Sequence, residues 1–178
     1  MSKHPLHGEH TVLRGLTESD RAKLAQWRNN PELKRLTGPG PFLPVNAADI
    51  KLADSDDTIQ FAICEAQTGE LAGWIALTHI IWSNRCAELA VYLGEAADRG
   101  RAWGRDAIRT LLDYAFNELN LHKVELEVVG YNEPAKAAYR KLGFVLEGTK
   151  REHGERAGQR YDLEIYGLLA SEFRQLHQ

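Results

Sequence analysis

The chain is poor in the residues that staple or anchor proteins. Only two cysteines, Cys64 and Cys86, occur in 178 residues. Both lie in apolar or strand-like stretches without metal-ligand spacing, so buried thiols in a reducing compartment are expected rather than a disulfide scaffold. The seven histidines are scattered, with His4, His7 and His10 near the start and His122 at a helix-to-strand turn. No HxH or HExxH spacing appears, and no metal is expected. No apolar run approaches the length of a bilayer span, and Met1 to Glu9 is polar, without the apolar core of a signal peptide. A cytoplasmic chain that touches no membrane is therefore expected. A basic excess is missing too: the formal net charge of −3 argues against a nucleic-acid partner.

Hydrophobic residues make up 43% and charged residues 26%, enough apolar surface for one domain over residues 1–178 without a staple. Thr11 to Leu16 reads as a strand, and Thr17 caps a helix carrying Glu18 and Asp20 in its first turn. Asn30-Pro31 starts a second helix that ends before Gly38. Gly38-Pro39-Gly40-Pro41 is a loop, and Asn46 to Asp57 is polar, with a helical turn or two. Ile59, Phe61 and Ile63 alternate with other residues as in a strand, and Thr68-Gly69-Glu70 turns the chain. Leu71 to Ile81 and Cys86 to Leu93 complete an antiparallel meander. Arg105 to Leu119 is the clearest helix, with Ile108, Leu111, Leu112, Ala115, Phe116 and Leu119 on one stripe. Lys123 to Val129 is a strand, Glu133 to Leu142 a short helix, Phe144 to Thr149 a strand, Gly154 to Gly158 a turn and Arg160 to Leu169 the closing strand.

Two motifs carry chemistry. Arg99-Gly100-Arg101-Ala102-Trp103-Gly104-Arg105 stands just before the long helix. Its glycines let backbone approach a ligand, and the helix start offers unpaired N–H groups and the positive end of a dipole. With three arginines this suits a pyrophosphate; it also suits a plain strand-to-helix turn with solvated arginines. The second motif runs from Asn132 through Tyr139 to Phe144. Asn132 is a helix cap or a ligand contact. Tyr139 is a packing residue or a proton donor, and Ala137 and Ala138 thin the helix beside it, as a narrow ligand would require.

Together the motifs resemble the GNAT superfamily of acyl-CoA N-acyltransferases, over about Thr58 to Phe173 and most strongly from Tyr92 to Gly148. The superfamily's Arg/Gln-x-x-Gly-x-Gly/Ala signature falls on Arg99 to Gly104, with Ala102 in place of the central glycine. Its Asn…Tyr-x-Lys-x-Gly-Phe signature falls on Asn132, Tyr139, Lys141, Gly143 and Phe144. LLDYAFNELNLHKVELEV, KLGFVLEG and RYDLEIYGLL are similar to ribosomal-protein and spermidine N-acetyltransferases.

The resemblance implies an α+β fold: a mixed, mostly antiparallel sheet of about seven strands, splayed at an acetyl-CoA site and flanked by about four helices. It implies that the third meander strand and Lys123 to Val129 pair and then part. Pantetheine would lie between them along Tyr92 and Leu93, and the diphosphate on Arg101 to Arg105, with Arg99 and Arg101 available to it. Ala102 is tolerable there if its φ stays negative. Asn132 would bond pantetheine or hold the helix that carries Tyr139, the expected general acid at the sulfur. Glu88 or a water chain would take the proton of the amine, with direct transfer and no acyl-enzyme. The acceptor is a protein N-terminus or a small amine such as a polyamine, to which Glu32, Asp54, Asp56 and Asp57 offer negative charge. Family members often pair, so a homodimer is open. An acetyl-CoA sensor without turnover is the alternative.

Overall fold

The computed structural model describes residues 6–38 and 42–176; His4 and Pro39 to Pro41 of the expected loop lie outside them. Seven strands form one sheet in the order β1-β2-β3-β4-β5-β7-β6. They are β1 (Thr11–Arg14), β2 (Ile59–Glu65), β3 (Leu71–Ile81), β4 (Cys86–Leu93), β5 (Lys123–Val129), β6 (Val145–Arg156) and β7 (Gln159–Leu169). Neighbours run antiparallel except β4 and β5, which are parallel. That pair holds register for only three positions, Cys86 with Lys123, Ala87 with Val124 and Glu88 with Glu125. Beyond Glu88 the two strands separate, as the resemblance implies.

Each sheet face carries its own apolar cluster. On one face lies α3 (Trp103–Asp113), whose Ile108, Leu111 and Leu112 pack with Leu77, Leu89 and Val124 in the main core. Its last turn widens over Tyr114–Glu118 into a π-turn, closed by Leu119 N–H on Tyr114 O at 3.1 Å, where the sequence stripe suggests unbroken α-helix. On the other face α1 (Arg21–Arg28) seats Leu24 and Trp27 against Trp74 and Tyr92. Gly94 sets that docking: a Cβ there would stand 1.9 Å from the Trp27 ring, so only glycine lets α1 reach the end of β4. Trp27 Nε1–H then donates to Glu95 Oε1 at 2.9 Å.

The remaining helices are α2 (Pro31–Leu36), capped by Asn30, α4 (Glu133–Lys141) and α5 (Ala170–Leu176). The sequence reading missed α5, a two-turn segment held by Phe173 on Phe116, ring centres 5.3 Å apart. It also ended β6 at Thr149. That strand continues to Arg156, and the turn shrinks to Ala157 and Gly158, both at positive φ, as a two-residue hairpin turn requires. Lys150 to Glu155 show no apolar alternation because this hairpin extends past the core, held by its ladder with β7.

Asp106 ties the start of the chain to α3. Its buried carboxylate accepts from the N–H groups of Glu9, His10 and Thr11 and from Thr11 Oγ1, all at 2.7–2.9 Å. Burial opposes the charge, but these four donors outweigh it and hold the carboxyl below its ordinary value. A depressed folded-state pKa adds stability above the ordinary carboxylate range, lost as pH falls through the lowered value. Asp106→Asn is therefore expected to lower the melting temperature at pH 7 by several degrees and to flatten the acid limb of a stability–pH profile. An unchanged acid limb would remove Asp106 from that account.

Candidate active site

The parting of β4 from β5 opens a cavity of about 510 Å³. Its walls include Val91, Tyr92 and Leu93 of β4, Arg99, Gly100, Ala102, Gly104 and Arg105 of the turn into α3, and Asn132, Ala135, Ala138 and Tyr139 of the β5–α4 segment. From Leu89 onward the outer edge of β4 has no strand partner, leaving backbone groups free to pair with an extended ligand.

At one end stands the first turn of α3. Asp106 N–H is the first amide to bond back, to Ala102 O at 3.0 Å, so the N–H groups of Trp103, Gly104 and Arg105 have no intrahelical acceptor. Among the described residues, Arg99, Arg105 and Lys141 line this cavity and no carboxylate does. Arg99 Nη2–H reaches Gly94 O at 3.4 Å, Nη1 lies 3.5 Å from Glu32, and Nε is buried without a partner among the described residues. A multiply charged anion fits this end. Arg101 and Trp103 do not line the cavity; the Arg101 guanidinium sits over the Trp103 ring instead, 5.1 Å from its centre.

Ala102 departs from expectation. It caps α3 with φ +65°, the left-handed region, although the sequence reading required negative φ there. For alanine this costs about 1–2 kcal/mol. The backbone path that exposes the first-turn amides is kept, at the expense of local strain.

On the opposite wall, Asn132 does the work of a cap. Its Oδ1 accepts from Ala135 N–H at 3.3 Å, and its Nδ2–H donates to Leu36 O at 3.2 Å. It thus holds α4 and ties it to α2. Lys136 locks α4 from behind, bonding Gly130 O at 2.6 Å, Glu133 at 2.7 Å and Glu164 at 3.0 Å. Tyr139 is thereby fixed on the cavity wall with its ring edge-on to Phe144. Burial pushes its phenol up to about 12, so it stays protonated at neutral pH, and its hydroxyl has no partner among the described residues.

Glu88 stands at the last position where β4 pairs with β5 and does not line this cavity. Its carboxylate is about half exposed and lies 3.1 Å from His79 Nδ1. Of the acidic residues expected to draw a polyamine, Glu32, Asp54, Asp56 and Asp57, none lines this cavity. Asp54 accepts from Gln60 N–H, Asp57 from Ser55 and Thr58, and Glu32 lies beside Arg99. The sequence reading missed a second cavity, of about 710 Å³, on the α1–α2 side, which shares Leu33, Thr37 and Tyr92 with the first. Its walls come from residues 24–74 and 92, a separation that leaves no local motif.

The acetyltransferase (GNAT) domain model matches residues 10–145, starting earlier and ending earlier than the resemblance legible in the motifs. The chain is 28% identical over 174 residues to an uncharacterised N-acetyltransferase, p20, of Bacillus licheniformis, covering 94% of this chain and 97% of that one. It is 32% identical over 141 residues to spermidine N(1)-acetyltransferase of Escherichia coli K12, covering 78% and 75%. Among solved structures, spermidine N-acetyltransferase from Vibrio cholerae in complex with CoA and spermine superposes with a TM-score of 0.84 at 26% identity, over 93% of this chain and 98% of that one.

Replacing Ala102 by glycine is expected to relieve the left-handed strain and raise the melting temperature by about 2–4 °C, the shift that about 1 kcal/mol gives in a chain of this size. Calorimetric melts of the two proteins check this; an equal or lower value for Ala102→Gly would show that the turn carries no strain.

Proposed function

The chain belongs to the GNAT family of acetyl-CoA-dependent N-acetyltransferases, and we propose that residues 1–178 act as one domain that passes acetyl directly to a primary amine, a polypeptide N-terminus or a small amine, with Tyr139 as general acid. The observation that carries this reading is the meeting of three features in one cavity. These are an unpaired strand edge at Tyr92 and Leu93, the open first turn of α3, and a protonated phenol at Tyr139.

In this reading the diphosphate of the donor rests on the amides of Trp103 to Arg105, with Arg99 and Arg105 supplying charge. The pantetheine arm runs along β4 past Ala135 and Ala138, whose small side chains leave it room. The amine nitrogen attacks the thioester carbon, the carbon–sulfur bond breaks, and the departing sulfur receives the Tyr139 proton. The raised pKa keeps that proton in place until the sulfur becomes basic. It also makes the phenol a weaker acid, so a hydrogen bond to the developing charge carries much of its effect. Glu88 accepts the amine's proton through intervening water, since it stands outside the cavity walls. Neither cysteine is needed: both are free, Cys64 buried and Cys86 half-buried, which suits a reducing, cytoplasmic setting. A sensor would have no use for Tyr139, and no relative described above is named as one.

Tyr139→Phe is expected to lower kcat about a hundredfold while acetyl-CoA affinity, read by calorimetry, changes less than about threefold. Comparable losses in both would make the residue a packing element. Glu88→Gln should lower kcat/KM most at neutral pH, with the deficit shrinking as pH approaches the amine's own pKa, because a neutral amine needs no base. An equal deficit at every pH would remove Glu88 from proton transfer.

A further inference from the structure

The second cavity lies on the face of the sheet that bears α1 and α2, and Tyr92 forms part of the wall of both. An acceptor lying there would approach the thioester from the side opposite α3. Its charged lining is one-sided. Arg28, Lys34 and Lys51 stand against a single carboxylate, Asp49, which already accepts from Asn46 N–H at 3.1 Å. None of the three cations has a carboxylate within ion-pair distance among the described residues. Lys34 is half-buried, Arg28 and Lys51 exposed at the rim. Burial, with Arg156 and Arg28 close by, holds the Lys34 ammonium below its ordinary value.

Beside this charge lies apolar wall. Trp74 stacks on Tyr92, ring centres 5.6 Å apart, and Trp27 meets Tyr92 edge-on at 6.4 Å. The Tyr92 hydroxyl has no hydrogen-bond partner among the described residues. A polyamine entering here would bring two or more ammonium groups toward three unpaired cations. An amine with an anion on a short carbon chain would instead neutralise them, with its chain against the indoles and a donor waiting at Tyr92.

We infer that the acceptor is a small primary amine carrying a carboxylate or phosphate, recognised by Arg28, Lys34 and Lys51 in the cavity bounded by Trp27, Trp74 and Tyr92. This rests on the acetyl-transfer reading and names its substrate class.

Thiol release from acetyl-CoA is measured with β-alanine, γ-aminobutyrate and O-phosphoethanolamine, and with 1,3-diaminopropane, putrescine and spermidine. The expected result is kcat/KM at least tenfold higher for the best anionic amine than for the cationic amines, the carboxylate and phosphate arms telling which anion is preferred. Lys34→Gln and Arg28→Gln should raise KM for that amine and bring the preference to within about twofold, with acetyl-CoA affinity unchanged. Lys51→Gln, at the rim, serves where either variant fails to fold. Cationic amines as good or better overturn the inference and leave acetyl transfer standing. Release with no amine would defeat the transfer reading itself. Calorimetry of the same amines with CoA-loaded protein then decides the inference, which binding of diamines alone, or of neither class, overturns.

Discussion

Two parallel strands that pair for three residues and then part are the constraint on which this molecule depends. Once β5 leaves β4 at Glu88, the backbone beyond has lost its sheet partner, and that loss is tolerable only because β3 still holds β4 on its other side through an unbroken register from Thr78 to Gly73. Meanwhile β5 stays bonded to β7 along its whole length. The opening is therefore a property of two well-supported half-sheets, and it does not need a ligand to exist. Helix α3 closes one side of it and α4 the other, each fastened by a buried charged residue, Asp106 and Lys136, that bonds to a distant segment.

Much of this was legible in the residues. β3, β4 and β5 begin and end where alternation and turn residues put them, because each is bounded by residues that cannot continue a ladder. The stripe on α3 declared its buried face. The cap at Asn132 was legible as well, though a cap and a ligand contact look the same in sequence; only the bond to Leu36 showed where its amide goes. What alternation could not reveal was structure held largely by polar bonds, as in the outer half of β6, or a helix too short to show a stripe, as in α5. The φ at Ala102 was hidden for a different reason: alanine gives no local sign of the left-handed region, and the turn's demand overrides its preference.

The second cavity belongs to the class of features that sequence conceals. Arg28, Lys34 and Lys51 read as ordinary surface cations, and the acidic run near Asp54 to Asp57 looked like the better lure for a charged substrate. Folding spends Asp54 and Asp57 on local backbone and side-chain hydrogens, and lines one cavity with three cations that have no carboxylate partner among the described residues. The solved spermidine N-acetyltransferase shares the frame; the cations lining the α1–α2 face come from segments that a motif does not reach.

The tether at Asp106 makes residues 9–11 and the glycine-bearing turn into α3 one mechanical piece. Residues 9–11 do more than extend the sheet: they absorb a negative charge one residue past Arg105. In the proposed reading, a proteolytic nick that freed them would leave that carboxylate undressed beside the turn assigned to the phosphates, repelling the donor or capturing a proton to avoid doing so. On that reading, loss of this edge strand would be felt as weakened coenzyme capture before any change in the chemistry itself.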